Sequence, residues 1–500
     1  MKRTHTLLFA SKPLRRVLSA FAAFSVLMTS MPVYALDWGN ASPVTGGITG
    51  GTSGNVTTIY QADQAGIINW TTFDMSAAEI ANFRQAYGVD AVTLNRITAD
   101  MNGTQIAGKI NADGGVWVVD PNGVFIQNGA SINVGAAFVA AAMNITDADF
   151  LAGRMNFTDS DGAGIVANEG QISAGARAAL LGGAVYNGGS IEAAQVTLAA
   201  GNAIVLDNNV GGGTITLSMD PEPDQPAPSV TGSGTPLGAN TFGLSKTGDI
   251  ISGGDIVTLG TTIGGSDITL VGNYGGDVTV TSTGYVRFDN FATVETLEAG
   301  NLNVTAATFI DQIAGTTLTV AGTTTLTAGG DITLANAGND FVGAVTLAGG
   351  ANVALADAND LTVGGTAGLT ATLTAGNNLD LAGLTVGAGG SLDLTAGNNL
   401  TDSEANFAGA LTLNVTGSAI LDEANDFDTV AGTAASVTLV DADDLTLNGL
   451  NSANGAITVT AGGLLTATDV ASLTDNDAND ILLTTTAGGI VAGIVNAGAA

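Results

Sequence analysis

Short runs in which Val, Ile and Leu alternate with Thr or another polar residue fill most of the chain. They include VTLNRI (92–97), GVWVVD (115–120), VTLAAGNAIVLD (196–207), DVTVTSTGYVRF (277–288), LTVAGTTTLTAGGDITLAN (318–336), LTLNVTGSAILD (411–422) and AITVTAGGLLTATD (456–469). Period-two alternation broken by Gly, Asn and Asp is the signal of half-buried strands. A helical pattern with an N-terminal signature occurs in MSAAEIANFRQAYG (75–88), where Ser76 and Glu79 are spaced as in a capping box, so one short helix is expected there.

The runs repeat. Thr-Ala-Gly recurs at 327–329, 374–376, 395–397 and 460–462, and the step of 21 from 374 to 395 suggests coils of about 21 to 23 residues. A longer unit, AGNDF (337–341) followed by ADANDLTVGG (356–365), returns as EANDF (423–427) followed by VDADDLTLNG (440–449). Self-similarity at this period in an all-strand chain predicts an all-β fold, a parallel β-helix or solenoid with short capping strands at its N-terminus. Inward Leu, Val and Ile would stack into one core, outward Thr would face water, and Gly and Asn would supply the corners. Five of the nine prolines fall between Pro221 and Pro236 and none follows, as expected if later strands need every backbone N–H. The organisation expected is a signal peptide at 1–35, a first domain at 36–217, a Pro-rich linker or loop at 218–240 and a repeat rod at 241–500. The last residues, GGIVAGIVNAGAA, are still in repeat register, so a fragment of a longer protein, or else a last coil capped by a partner, is expected there.

Composition changes this picture in two ways. Five of the 12 basic residues (Lys2, Arg3, Lys12, Arg15, Arg16) precede the apolar run Val17–Met28, and Val33, Tyr34 and Ala35 form a small-x-small site. That is a secretory signal cleaved after Ala35, too short for a stable membrane span. Beyond it remain seven basic residues against 45 acidic ones, a formal net charge of −38, which repels nucleic acid.

Candidate chemistry is sparse. The only histidine, His5, lies in the signal and the chain has no cysteine, so Ser-His-Asp, Cys-His and His-ligated zinc sites are excluded. No cofactor or metal site is expected and the chain is not read as an enzyme. Asp-rich stretches such as DADD (441–444) and TDNDAND (474–480) leave open a polysaccharide-active β-helix or a calcium-stabilised surface-layer component. A lyase would need cations beside the acids, and only Lys246 and Arg287 follow the linker. In DPNG (120–123), Asp at position i, Pro at i+1, Asn at i+2 and Gly at i+3 spell a β-turn.

One ordered succession adds more. INWTTFDM (68–75), VTLNRI (92–97), IAGKINADGGVWVVDPNGVFIQNGASINVG (106–135), DADFLAG (147–153), GIVANEGQISA (164–174) and VYNGGSIEAAQVTLAAGNAIVLD (185–207) resemble, in that order, the N-terminal secretion domain of filamentous-haemagglutinin-like exoproteins of the two-partner secretion system. The resemblance implies a right-handed parallel β-helix, secretion to the medium or the cell surface, and passage through an outer-membrane β-barrel transporter whose periplasmic domains recognise this region. It places the family's Asn-Pro-Asn-Gly turn on Asp120, Pro121, Asn122 and Gly123, with Asp120 in place of the first Asn. Asn95 and Arg96 in VTLNRI, and the Asn-Ile step at Asn144 and Ile145, complete the implied recognition motif. The small polar pair that precedes that step in the family falls on Ala141 and Ala142. Members act mainly as adhesins or haemagglutinins, which implies a binding fibre whose receptor is unknown.

Overall fold

A computed structural model describes residues 35–498 apart from 159–163, 202, 207–214, 219–249, 253–255, 266–267, 271–273, 290–295, 404–405 and 475–478. The signal segment before Ala35 and the Pro-rich segment lie outside the described residues. Two compact units are present, one reaching Ser282 and including Asp289–Thr293, the other formed by Thr283–Phe288 and Val294–Ala500.

The first unit is a parallel β-solenoid with three strand stacks. Val56–Gln61 pairs in parallel with Ile80–Gln85, which pairs with Lys109–Ala112, and Ser131–Val134 and Gln171–Ala174 continue the stack. Ala65–Trp70 begins a second stack through Val92–Ile97, Gly115–Val119 and Ala137–Ala141. Thr104–Ile106, Val124–Ile126 and Ile165–Asn168 form the third. Identical side chains stack because register is in step from coil to coil, and Ile110, Ile132, Ile172 and Ile191 make one such interior column.

A bare first coil would expose an unpaired strand edge. Here Ile48–Ser53 folds back antiparallel on Val56–Gln61, and Ala41–Thr45 lies antiparallel to Ala65–Trp70, so both edges of the first coil are covered. These are the short capping strands expected from the sequence.

The helix expected at 75–88 is not formed. Met75 bridges Ile106 and Ile80–Gln85 is a strand between Val56–Gln61 and Lys109–Ala112. The Ser76 amide and hydroxyl do bond Glu79 Oε2, at 2.6 and 2.8 Å, but on a turn that leads into the strand. The alternation in IANFRQ, with Ala81 and Phe83 inward, overrides the local cap. Among the described residues the α-helix that forms is Asp147–Leu151, capped by the Thr146 hydroxyl, which accepts from the Asp149 N–H at 3.0 Å.

One face of this unit carries a second layer that periodicity did not announce. Met155–Thr158, Ala203–Leu206 and Ile215–Ser218 form an antiparallel sheet. Phe150, Met155, Phe157, Ile204 and Leu206 pack over the outward side chains Ile67, Leu94, Trp117, Val139, Ala179 and Leu181. Strands beneath are therefore buried on both sides, and VWVV, AFVAA and AALLG read as unbroken apolar runs for that reason.

In the second unit the strands alternate buried positions with exposed ones, as in Leu302–Ala306, or with half-buried ones, as in Thr324–Ala328. Leu379, Leu400, Ala419, Val437 and Ile457 form one interior column. The step between stacked residues varies, from 18 (Val353 to Ala371) through 21 (Ala371 to Leu392) to 24 (Ile457 to Ile481), so corners absorb more length variation than a constant 21 to 23 allows. The long repeat has a physical basis. Asp357 accepts the Phe341 N–H at 2.6 Å and the Asn359 N–H at 2.6 Å, while Asp441 accepts the Phe427 N–H at 2.6 Å and the Asp443 N–H at 3.2 Å. Each buried carboxylate ties its own turn to the preceding coil.

Candidate functional site: the corner at residues 120 to 123

Three successive strands of the second stack, Ala65–Trp70, Val92–Ile97 and Gly115–Val119, end at the same corner of the solenoid. The segments that follow them carry Asp74, Asp100 and Asp120, one above another. Asp120–Gly123 is a hydrogen-bonded β-turn, with the Gly123 N–H donating to the Asp120 carbonyl at 3.0 Å. The Gly123 carbonyl accepts from the Thr104 N–H at 2.9 Å and the Asp120 N–H donates to the Ala141 carbonyl at 2.9 Å, so the turn is fixed to the coils on both sides. Gly123 sits at φ +132°, and a Cβ there would stand 2.7 Å from the Phe125 ring and 3.1 Å from the Ile165 carbonyl oxygen. Only glycine fits.

Asp120 is fully buried. One carboxyl oxygen accepts from the Thr104 hydroxyl at 2.9 Å, the other from the Asn122 N–H at 3.0 Å. Burial pushes its carboxyl up to about 7, the bonds from Asn122 and Thr104 pull against that, and the Asp100 charge adds to the rise. Asp74 is raised to about 7, again first by burial, against the pull of the Gln105 N–H that it accepts at 2.7 Å and with a further upward push from Asp100. Asn122 is exposed, and its amide donates to the Asp100 carbonyl at 2.7 Å.

The remaining expected recognition residues divide by face. Asn95 points into the core, accepting from Trp70 Nε1 at 3.0 Å and donating to the Trp117 carbonyl at 3.2 Å, so no partner can touch it in the folded chain. Its neighbour Arg96 points outward, donates to the Ile145 carbonyl at 2.9 Å and pairs with Asp147 at 2.7 Å. The Ile145 side chain is buried, whereas Asn144 is exposed and its backbone pairs with Thr158. The structure thus joins Arg96 to Ile145 and presents Asn122 and Asn144 to solvent, while Asp120, Gly123 and Asn95 hold the fold. Ala35 is exposed and Leu36 beside it is buried, its carbonyl accepting from the Thr57 hydroxyl at 3.0 Å. Sequence reasoning missed Asp74, Asp100, Thr104 and Asp147. The coil spacing carried a signal for the first two, since 74, 100 and 120 lie close to one coil apart.

A family model described as the TPS secretion domain matches residues 39–288, half of the chain and the whole of this corner. The chain belongs to that family. A second model, for repeats of unknown function, matches 275–348 and 367–434, within the repeat unit described above apart from its first residues. Two heme/hemopexin-binding proteins of Haemophilus influenzae are similar: one is 39% identical over 98 residues, 20% of this chain and 11% of that protein, and the other 39% over 83 residues, 17% and 9%. The matched parts thus span about a tenth of the length of these curated relatives. The crystal structure of the HMW1 secretion domain from Haemophilus influenzae is similar at 18% identity and a TM-score of 0.36, covering 89% of this chain and 99% of that one. Within the secretion domain of this chain, the two-layered face and the corner at 120–123 are neighbours, linked by the Gly164 N–H, which donates to both the Pro121 and Ala142 carbonyls at 3.2 and 3.1 Å. Among the described residues no helix is long and apolar enough to cross a membrane, and no group of three or more acids, His or Cys is arranged to hold a metal ion.

Proposed function

We propose that this chain is exported through an outer-membrane β-barrel transporter whose periplasmic domains read the corner at 120–123, and that the repeat coils then act outside the cell as an adhesin or haemagglutinin-like binding fibre. The observation that carries the reading is the secretion-domain match over residues 39–288, which spans the capped first coils, the DPNG turn and the Arg96–Ile145 contact. On this reading the exposed Asn122 and Asn144, with Pro121 and Arg96 beside them, supply the contacts, and Asp120, Gly123, Asn95 and Ile145 shape them. Cleavage after Ala35 would leave the anchored Leu36 as the first residue. A chain without cysteine has no thiols to crosslink while it waits unfolded for passage.

The buried acids support a structural rather than a catalytic role. Asp357, Asp402 and Asp441 are each engaged by backbone N–H groups of an adjacent coil, which leaves them committed to the fold. The two similar heme/hemopexin-binding proteins make haem and hemopexin the first ligands to try on the exported protein. Deleting the gene for the cognate transporter tests the export reading: the chain should be retained in the periplasm and degraded, and unchanged extracellular amounts would sink the idea. Incubation with acidic and neutral glycans separates the fibre from a polysaccharide-active enzyme, because shortened products would overturn the fibre.

A further inference from the structure

The family's turn begins with Asn, and this chain has Asp120 there, fully buried. The Asp120 carboxyl has two hydrogen-bond neighbours of different character. The Asn122 N–H and, at 3.4 Å, the Asn122 side-chain amide can only donate, whereas the Thr104 hydroxyl can donate to a carboxylate or accept from a carboxylic acid without moving. The charged groups that face it are acidic: Asp100 on the segment below, and Asp74 one coil further, which also lies against Asp100. One oxygen of Asp100 is buried with no hydrogen-bond partner. Packed strands 104–106, 124–126 and 137–141 bring no ionisable side chain, and Arg96, in register with Val119 beside the turn, is engaged by Asp147.

We propose that Asp120 makes this corner a proton-operated clasp: as the neutral acid it holds the 120–123 turn and the 98–104 segment together, and as the carboxylate it loosens both. Ionisation strips the acid of its proton in a buried site facing another carboxylate, and no cation stands by to compensate. The sign follows from the raised folded-state value. Stability from this group is complete below the unfolded carboxyl value of 3.8 and is lost as pH rises through about 7. The clasp is a property of this chain's own Asp, stands apart from the export reading, and is tested on purified protein with no transporter present.

The amides of Thr104 and Gly123, which close the turn, are the reporters. Hydrogen exchange of the mature chain, corrected for intrinsic rates, should show their protection dropping about tenfold or more between pH 5 and pH 8. In Asp120→Asn, whose amide can donate to Thr104 and accept from Asn122, protection should be high and independent of pH. Equal pH dependence in Asp120→Asn and wild type, or pH-independent protection in wild type, overturns the clasp. Should Asp120→Asn fail to fold, Asp100→Asn keeps the question open to measurement: removing the facing charge, which raises the Asp120 carboxyl, should move the loss of protection to lower pH, and an unmoved midpoint counts against the proposal.

Discussion

The Arg96 guanidinium donates to the Ile145 carbonyl at 2.9 Å and pairs with Asp147 at 2.7 Å, across 49 residues of sequence from Arg96 to Ile145. One outward side chain on the solenoid thereby fixes the start of the helix that opens the covering layer. Replacing Arg96 with Met keeps the stem and removes the charge, and should cost about 1 to 2 kcal/mol because the pair is partly exposed. Faster hydrogen exchange in residues 146–158, with the core strand 115–119 unchanged, is the expected signature.

Trp117 lies beneath that layer, edge-on to Phe150 with centroids 5.1 Å apart and tilted against Phe157 at 6.0 Å. Truncation to Ala should destabilise the first unit by about 3 to 5 kcal/mol. Trp117→Phe should be far milder, within about 1.5 kcal/mol, since the indole N–H is buried without a partner and its removal relieves a penalty that partly offsets the lost contact. Urea unfolding followed by circular dichroism ranks the two variants.

In the repeat unit, burial raises the Asp441 carboxyl to about 6, with the Phe427 and Asp443 N–H groups pulling down and the Asp443 and Asp426 charges pushing up. Its contribution is therefore full below the unfolded value of 3.8 and fades as pH rises through about 6. Asp441→Ala removes the anchor of the Phe427 N–H and that of its own turn at the Asp443 N–H, and should lower the melting temperature at every pH, while flattening its fall between pH 4 and pH 7. An unaltered slope in the variant would show that Asp441 does not carry this dependence.

Much of this was legible. VTLNRI and GVWVV are strands as the alternation indicates, and the AGNDF and EANDF units return with the same Asp-to-backbone anchors. The covering sheet was not read, although its trace was present: AFVAA and AALLG lack the polar half of the pattern because both of their faces are buried. Ser76 and Glu79 misled because the same pair of hydrogen bonds closes a turn as readily as it caps a helix, and only the alternation that follows decides. The resemblance puts both Asn95 and Arg96 in the recognition motif, whereas period two sends consecutive side chains to opposite faces, one into the core and one to Asp147. The meeting of Asp74, Asp100 and Asp120 depends on coil lengths that vary at the corners, which no local window reveals.

Gly123 and Asn122 separate fold from recognition. Any side chain at Gly123 meets Phe125 and Ile165 and is strained by its positive φ, so Gly123→Ala should destabilise the corner by about 1 to 3 kcal/mol and lower export through misfolding. Asn122 is exposed and, when cut back, loses its bond to the Asp100 carbonyl and a longer one, 3.4 Å, to the Asp120 carboxyl, a change of about 1 kcal/mol.

The most direct measurement is therefore the extracellular fraction of Asn122→Ala in cells that carry the transporter, with its melting temperature recorded beside it. A large fall in export with the melting temperature within a few degrees of wild type is the predicted result. Wild-type export from an intact Asn122→Ala fold would contradict the reading of this corner as an export signal.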